Sequence, residues 1–254
     1  MNMQSIGKKI SALRKERDMT QVDLADKLGV TYQAVSSWER GNSMPDIAKL
    51  PDISQVLAVS IDELLDNAKA TEIVNNVLSG QGTYSIIPDL EALVDVAPIL
   101  KPSQVNALAK QTISATGDML VQLAHHMDSS SLREIILQSD SIDNSAIIEI
   151  ACHMDSEDLK EVALHCSSID SKTIAEIACH MDSEDLKEVA LHCSSIDSKT
   201  IAEIACHMDS EDLKEVALRC SSIDSKTIAE IACHMDSEDL KEVIMQCKNI
   251  KLKL

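Results

Sequence analysis

The sequence predicts an all-α protein, an N-terminal five-helix helix-turn-helix domain followed by an α-solenoid of 27-residue two-helix repeats. Three observations predict it. The stretch "HMDSEDLKEVALHCSSIDSKTIAEIAC" (His153–Cys179) recurs unchanged at His180–Cys206, and with the single change Arg219 at His207–Cys233. Within each copy, apolar residues fall at i, i+3, i+4 and i+7, the spacing of one helical face. Ahead of the copies, the first 67 residues divide into short amphipathic helical patterns opened by Thr and closed by Gly. The expected organisation is a domain over residues 1–67, a connection or connecting helix over 68–87, and the repeat region over 88–254.

Along the first domain, "IGKKISALRKERD" places Ile6, Ile10 and Leu13 on one face, with Lys8, Lys9, Arg14, Lys15 and Arg17 around the rest. In "MTQVDLADKLGV", Thr20 is an N-cap with Asp23 in capping-box position, Leu24, Ala25 and Leu28 form the buried stripe, and Gly29 stops the helix. Thr31 caps a third helix, "YQAVSSWERG", which ends at Gly41. Two short helices joined by a tight turn containing Gly make a helix-turn-helix. Pro51 lies within a fourth helical pattern, where it either opens a helical turn or splits the helix.

These residues carry a resemblance. "LRKERDMTQVDLADKLGVTYQAVSSWERG…PDIAKL…VSIDELL" resembles the Cro/lambda-repressor type of helix-turn-helix domain, the XRE family, over about residues 5–66. The resemblance implies roles. Gln21 at the start of helix 2 meets a phosphate. Helix 3 enters the major groove, with Thr31 at its start and Tyr32, Gln33, Ser36 and Ser37 outward and Val35 and Trp38 inward. Arg40, Asn42 and Ser43 contact the DNA backbone, and Arg14 and Glu39 form a structural ion pair. Gln33 is the first candidate for a base contact, because its amide can pair with an adenine edge.

Charge agrees with that placement. Residues 1–70 hold 9 of the 23 Lys+Arg and 10 of the 42 Asp+Glu, a net of −1; the remaining residues hold 14 and 32, a net of −18. Phosphates are repelled by the body and can be met only by the head. With no Phe, one Trp and two Tyr, the chain also lacks the rings on which single-stranded bases stack.

In the repeat, "MDSEDLKEVALHC" aligns with "IDSKTIAEIACHM", so each copy holds two similar helices of about 11 residues. Asp155 is an N-cap with Asp158 at N3, and Met154 faces Leu159 as a hydrophobic staple; Asp170, Ile169 and Ile174 repeat the arrangement. Leu159, Val162, Ala163 and Cys166 form one stripe, and Ile174, Ile177, Ala178 and Met181 the other. A lone helix of this length is unstable in water, so each copy supplies its neighbour's missing half. His126–Cys152 is a diverged copy, Ile99–His125 fits the period more loosely, and His234–Cys247 is a half-copy read as a terminal cap. The tail "KNIKLKL" is basic, and "SGQGTY" reads as part of the connection.

Cysteines recur at 152, 166, 179, 193, 206, 220, 233 and 247. Cysteines at opposite ends of antiparallel helices stand about 16 Å apart, whereas a disulfide needs Cα atoms within about 7 Å. They are read as small buried hydrophobes, and no metal site or cofactor is expected. His165 and His180 read as helix-end caps, and the repeated acids as caps and a solvated face. No nucleophile–base pair or phosphate loop occurs, so no enzyme is expected. The absence of a bilayer-length apolar run or a signal-peptide pattern leads to the expectation of a cytoplasmic protein with no membrane association.

The function expected is a sequence-specific regulator binding double-stranded DNA, whose acidic repeat region mediates homodimer or higher homo-oligomer formation or binds a peptide or protein effector. The alternative is a self-assembling scaffold, a ring or filament, that the helix-turn-helix tethers to DNA.

Overall fold

Helix α1 (Met3–Glu16) lays Ile6, Ile10 and Leu13 into the core of the N-terminal domain in a computed structural model of the chain. The structure describes residues 3–79, 89–111, 116–139, 141–220 and 223–251, without the side chains of Met3 and residues 247–251. Most of the expected connection "SGQGTY", all of the basic tail's side chains and the side chain of Cys247 lie outside the described residues or side chains. Among the described residues there is no β-strand.

Helix α2 (Gln21–Leu28) opens on a capping box: the Thr20 hydroxyl accepts from the Asp23 amide at 3.1 Å, and the Asp23 carboxylate accepts from the Thr20 amide at 2.7 Å. It closes on Gly29 at φ +63°, a left-handed conformation that glycine adopts without penalty. Thr31 caps α3 (Tyr32–Glu39), accepting from the Ala34 amide at 3.2 Å. Pro51 does not split the fourth helix. It lies in the first turn of α4 (Leu50–Leu57), after a 3₁₀ turn at Ile47–Lys49, where its missing N–H has no helical partner to lose. Ser60 caps α5 (Ile61–Leu65). Helices α1, α2, α4 and α5 surround a core of Leu24, Leu28, Val35, Leu50, Ile53, Leu57 and Leu64.

Helices α1 and α3 lie in close contact. A Cβ on Gly7 would stand 2.0 Å from the Trp38 carbonyl oxygen, so only glycine lets the two helices lie this near.

The described chain divides into two compact units, and the first extends beyond α5, spanning Met1–Ala115 with His125–Met127. Helix α6 (Ala68–Leu78) buries Ala70, Ile73 and Val74 and packs on α5 and on α7 (Leu90–Val96), which in turn meets α8 (Pro102–Ala109). Asn67 caps α6 through Ala70 and also donates to Asp95 at 3.0 Å. Residues read from the sequence as the start of the repeat region therefore pack within this unit.

The second unit holds α9 (Gly117–Ala124), α10 (Ser129–Gln138), α11 (Asn144–Ala151), α12 (Ser156–His165) and α13 (Ser171–Ile177). It continues with α14 (Ser183–His192), α15 (Ser198–Ile204), α16 (Ser210–Arg219), α17 (Ser225–Ile231) and α18 (Ser237–Lys251). Each even-numbered helix from α10 on packs against the next even one, and each odd-numbered helix from α9 on against the next odd one, so helices one period apart are neighbours. Leu159, Leu186 and Leu213 on one series, and Ile174 and Ile201 on the other, are fully buried. The odd helices from α13 on are shorter than the 11 residues expected. After seven residues they tighten into a 3₁₀ turn, as at Ala178–His180, which draws in the chain and leads directly to the buried Met181.

Two readings of repeated side chains are corrected. None of the seven described cysteines is buried: Cys152, Cys179, Cys206 and Cys233 are exposed, and Cys166, Cys193 and Cys220 are half-buried. The exposed set sits one residue past the alanine of the helix end, which is buried at Ala151, Ala178 and Ala205, on the outer side of the final turn, where Cys179 Sγ donates to the Glu176 carbonyl at 3.6 Å. The N3 aspartates are not simply solvated helix-end charges. Each turns to the preceding copy: Ser156 Oγ donates to Asp185 at 2.6 Å and Lys160 Nζ stands 2.6 Å from the same carboxylate, while the Asp182 amide donates to Ser156 Oγ at 2.8 Å. Ser183 and Lys187 treat Asp212 in the same way, Ser210 and Lys214 treat Asp239, and Ser129 and Arg133 treat Asp158.

This ladder sets a pH dependence. Burial pushes the Asp185 and Asp212 carboxyls up, but hydrogen bonds from the preceding copy's Lys and Ser outweigh it and hold both below the ordinary carboxylate value. Hydrogen bonding from Lys214 and Ser210 lowers Asp239 as well. Groups lowered on folding contribute stability that is complete above the unfolded value of about 4 and is lost as pH falls through the folded value. The lysines are raised by the same hydrogen bonds, so their contribution is complete below about 10 and fades only above it. The urea midpoint of the second unit, followed by circular dichroism, is expected to stay flat from pH 6 to 9 and to fall below about pH 4. Asp212→Asn should shallow that acid limb, and an acid limb of unchanged slope would refute the ladder's part in it.

Candidate nucleic-acid interface

The helix-turn-helix rests on a buried ionic triad. Arg14, from α1, meets Glu39, from the end of α3, through two parallel bonds, Nε to Oε1 at 2.5 Å and an Nη to Oε2 at 2.9 Å. Their side chains are 8% and 5% exposed. A third donor arrives from α2: Gln21 Nε2 to Glu39 Oε2 at 2.7 Å. Arg14 also donates to the Met19 carbonyl in the α1–α2 turn. One carboxylate thus joins three helices. Burial pushes the Glu39 carboxyl up, and the hydrogen bonds from Arg14 and Gln21 together with the Arg14 charge outweigh it, leaving the group below its ordinary value. The hydrogen bond to Glu39 raises Arg14 correspondingly.

Above the triad the structure sorts the candidate contact residues. Thr31, Tyr32 and Gln33 are exposed at the start of α3, Tyr32 to 48%, while Val35 and Trp38 are buried beneath them. Ser36 is half-buried. Ser37 accepts a hydrogen bond from Ser43 at 2.8 Å, which ties the segment after α3 back to the helix. Arg40 Nε folds onto the Ser36 carbonyl at 3.1 Å, and Asn42 is exposed beside it. Thr31 spends its hydroxyl on the cap. Residues 31–33, 36–37 and 40–43 therefore lie along one short helix and the segment following it, whereas Gln21 joins them through Glu39 from the neighbouring helix.

The sequence reading did not include the Gln21–Glu39 bond, or Lys49, whose Nζ reaches the Leu28 carbonyl at 3.1 Å and Asp52 at 3.2 Å. Lys49 stands 21 residues from Leu28, so no local pattern signals that contact. Among the described residues there is no cluster of His, Cys, Asp and Glu able to hold a metal, and no helix long and apolar enough to cross a membrane.

Comparison with known proteins places this geometry. A family profile described as "Helix-turn-helix" matches residues 10–64. The uncharacterized HTH-type transcriptional regulator YqaE of Bacillus subtilis (strain 168) is 41% identical over 87 residues, 33% of this chain and 75% of YqaE. The HTH-type transcriptional activator BcrR of Enterococcus faecalis is 31% identical over 102 residues, 39% of this chain and 50% of BcrR. Repressor protein C2 of Salmonella phage P22 is 33% identical over 89 residues, 34% of this chain and 41% of that repressor. No solved structure matches the chain significantly. A profile whose span contains the buried triad and all of α2 and α3, with a relative matched over three-quarters of its length, identifies the chain as a member of the helix-turn-helix family of transcriptional regulators.

Proposed function

We propose that the protein is a sequence-specific DNA-binding regulator of transcription, that residues 88–254 form an α-solenoid following the 1–67 DNA-binding domain and the 68–87 connection in sequence, and that this acidic array joins copies of the chain or receives a peptide or protein effector. The observation that carries the reading is the exposed start of α3, Tyr32 and Gln33, set on a helix whose far end is pinned by the Arg14–Glu39–Gln21 triad. A recognition helix must present its first residues to base edges in a fixed orientation, and a carboxylate at the end of that helix bonded to two others supplies that rigidity.

Roles follow from chemistry. Gln33 reads a base, with its amide suited to the N6 and N7 edge of adenine. Gln21 has a second amide hydrogen beyond the one given to Glu39; directed at a phosphate, it works with the unpaired N–H groups at the start of α2. Tyr32, Ser36 and Ser37 border the base contact. Arg40, Asn42 and Ser43 meet the backbone strand, Arg40 by exchanging the Ser36 carbonyl for a phosphate. Names of relatives include both an activator and a repressor, so the sign of regulation is left to experiment.

Selection of bound sites from random duplex DNA tests the reading. The wild-type chain is expected to enrich one motif. Gln33→Ala should flatten the preference at a single base position by about 1–3 kcal/mol, and Gln21→Ala should weaken all sequences alike. Enrichment of no motif at low ionic strength would overturn the reading; an unaltered motif with Gln33→Ala would overturn the base-contact assignment.

A further inference from the structure

The repeat breaks its own rule inside α18, and the break is apolar. Earlier copies turn at Ser-Ser-Ile-Asp after the cysteine, as at Ser167–Asp170; here Lys248 and Lys251 replace the first Ser and the capping Asp, and α18 runs on to Lys251. Ala217 and Leu218 of the preceding copy become Ile244 and Met245, which are 39% and 65% exposed. Leu240 and Met235 are half-buried, although their counterparts Leu213 and Met208 are buried. A terminal repeat that faces water acquires polar residues on its outer side. This one acquires larger apolar residues instead.

Charge along the same helix indicates what covers it. The first six residues of α18 hold Glu238, Asp239 and Glu242 against Lys241, a net of −2, with Asp239 taken up by Lys214 of the preceding copy and Glu238 and Glu242 exposed; the last four hold Lys248 and Lys251, a net of +2. Two such helices placed antiparallel, about a two-fold axis near Ile244 and Met245, set the acidic half of each beside the basic half of the other. A parallel placement sets like against like. Head-to-tail growth is disfavoured by the ladder: Ser237 and Lys241 occupy the donor positions that in earlier copies find an aspartate in the next, but the corresponding position of α10, the first even helix of the unit, is Ser131. An isologous pair closes; a head-to-tail contact does not.

We propose that the face formed by α17 and α18, centred on Ile244 and Met245, binds the same face of a second copy of this chain in antiparallel register and closes a two-fold dimer. The inference deepens, and in that respect rests on, the proposed role of the array in joining copies, and a dimer would offer two DNA-binding heads for two half-sites.

The test uses the full chain, with mass measured by light scattering across concentration. The wild-type is expected to be dimeric. Ile244→Glu with Met245→Glu should weaken the dimer about 30-fold or more, as loss of a central interface cluster does, with helical content unchanged. Because those changes act on the apolar centre alone, a charge pair checks the register. Glu238→Lys with Glu242→Lys makes a basic helix whose one remaining acid is Asp239, and Lys248→Glu with Lys251→Glu makes an acidic helix whose one remaining base is Lys241. Each chain alone should be monomeric, and an equimolar mixture should form a heterodimer. A wild-type chain that is monomeric at about 100 µM, well above a micromolar dissociation constant, would overturn the proposal. So would a mass that keeps growing with concentration, or a dimer indifferent to all these changes. DNA selection with the wild-type chain separates the two readings: a wild-type dimer that selects no DNA removes the regulatory function and leaves the interface, while a wild-type monomer that selects single half-sites does the reverse.

Discussion

Glu39→Ala is expected to lower the stability of the N-terminal domain by about 3–5 kcal/mol, the usual cost of removing one partner from a buried ion pair. Arg14 is 7% exposed, so its charge would remain inside the domain with the Met19 carbonyl as its one remaining acceptor among the described bonds. Gln21 would lose its acceptor as well. Against total stabilities of about 5–15 kcal/mol, a loss of this size leaves little of the folded state. Glu39→Gln should cost less, because the amide oxygen still accepts from Arg14 while the charge is gone. Trp38 is the only tryptophan, is buried in this domain and lies next to Glu39 in sequence, so urea unfolding followed by its fluorescence isolates the transition. A midpoint for Glu39→Ala within about 1 kcal/mol of wild-type stability would show that the triad is ornamental, as exposed ion pairs often are.

Leu213→Ala is expected to cost about 2–5 kcal/mol, the range for truncating a fully buried leucine in a site that cannot collapse. Leu213 has no exposed surface, and its helix packs on both α14 and α18. The hole would therefore weaken two helix contacts at once, and in an array held together by neighbours the loss spreads to whatever lies beyond it. Cys206→Ser is the matched control. It repeats at the same period but is exposed, and a surface change of that kind stays within about 0.5 kcal/mol. Urea unfolding by far-ultraviolet circular dichroism would separate the two, and equal midpoints would mean that the even-numbered helices do not share a core.

Much of this arrangement was legible in the residues because the signals are local. Thr20 with Asp23, Gly29, Thr31 and the repeated Asp-Ser pairs announce helix ends through side-chain and backbone chemistry within four residues, and those helix starts are where the chain begins α2, α3, α12 and α13. The stripe Leu159, Val162 and Ala163 is buried as its spacing requires. Cys166 has the same spacing and is only half-buried, because it lies past the helix end, where the 3.6-residue period no longer applies. Periodicity speaks for a residue only while the helix lasts.

The candidate site divides in the same way. That Tyr32 and Gln33 face outward follows from Val35 and Trp38 facing in, since positions on one helix constrain each other. That Ser37 is held by Ser43 depends on how the chain folds back after Gly41, for which short-range patterns carry no distance.

By itself the sequence determined the helices, their caps, the 27-residue period and the uneven charge, because each is a property of residues within a turn or of simple counting. Only the tertiary structure decided that Glu39 serves Gln21 as well as Arg14, that the N3 aspartates belong to the preceding copy's serine and lysine, and that a period which hides leucine leaves cysteine in water. The physical reason is reach. Partners 18 to 29 residues apart meet only once helices have packed, and the free energy that selects them is that of burying charge and apolar surface between helices, which no single helix contains.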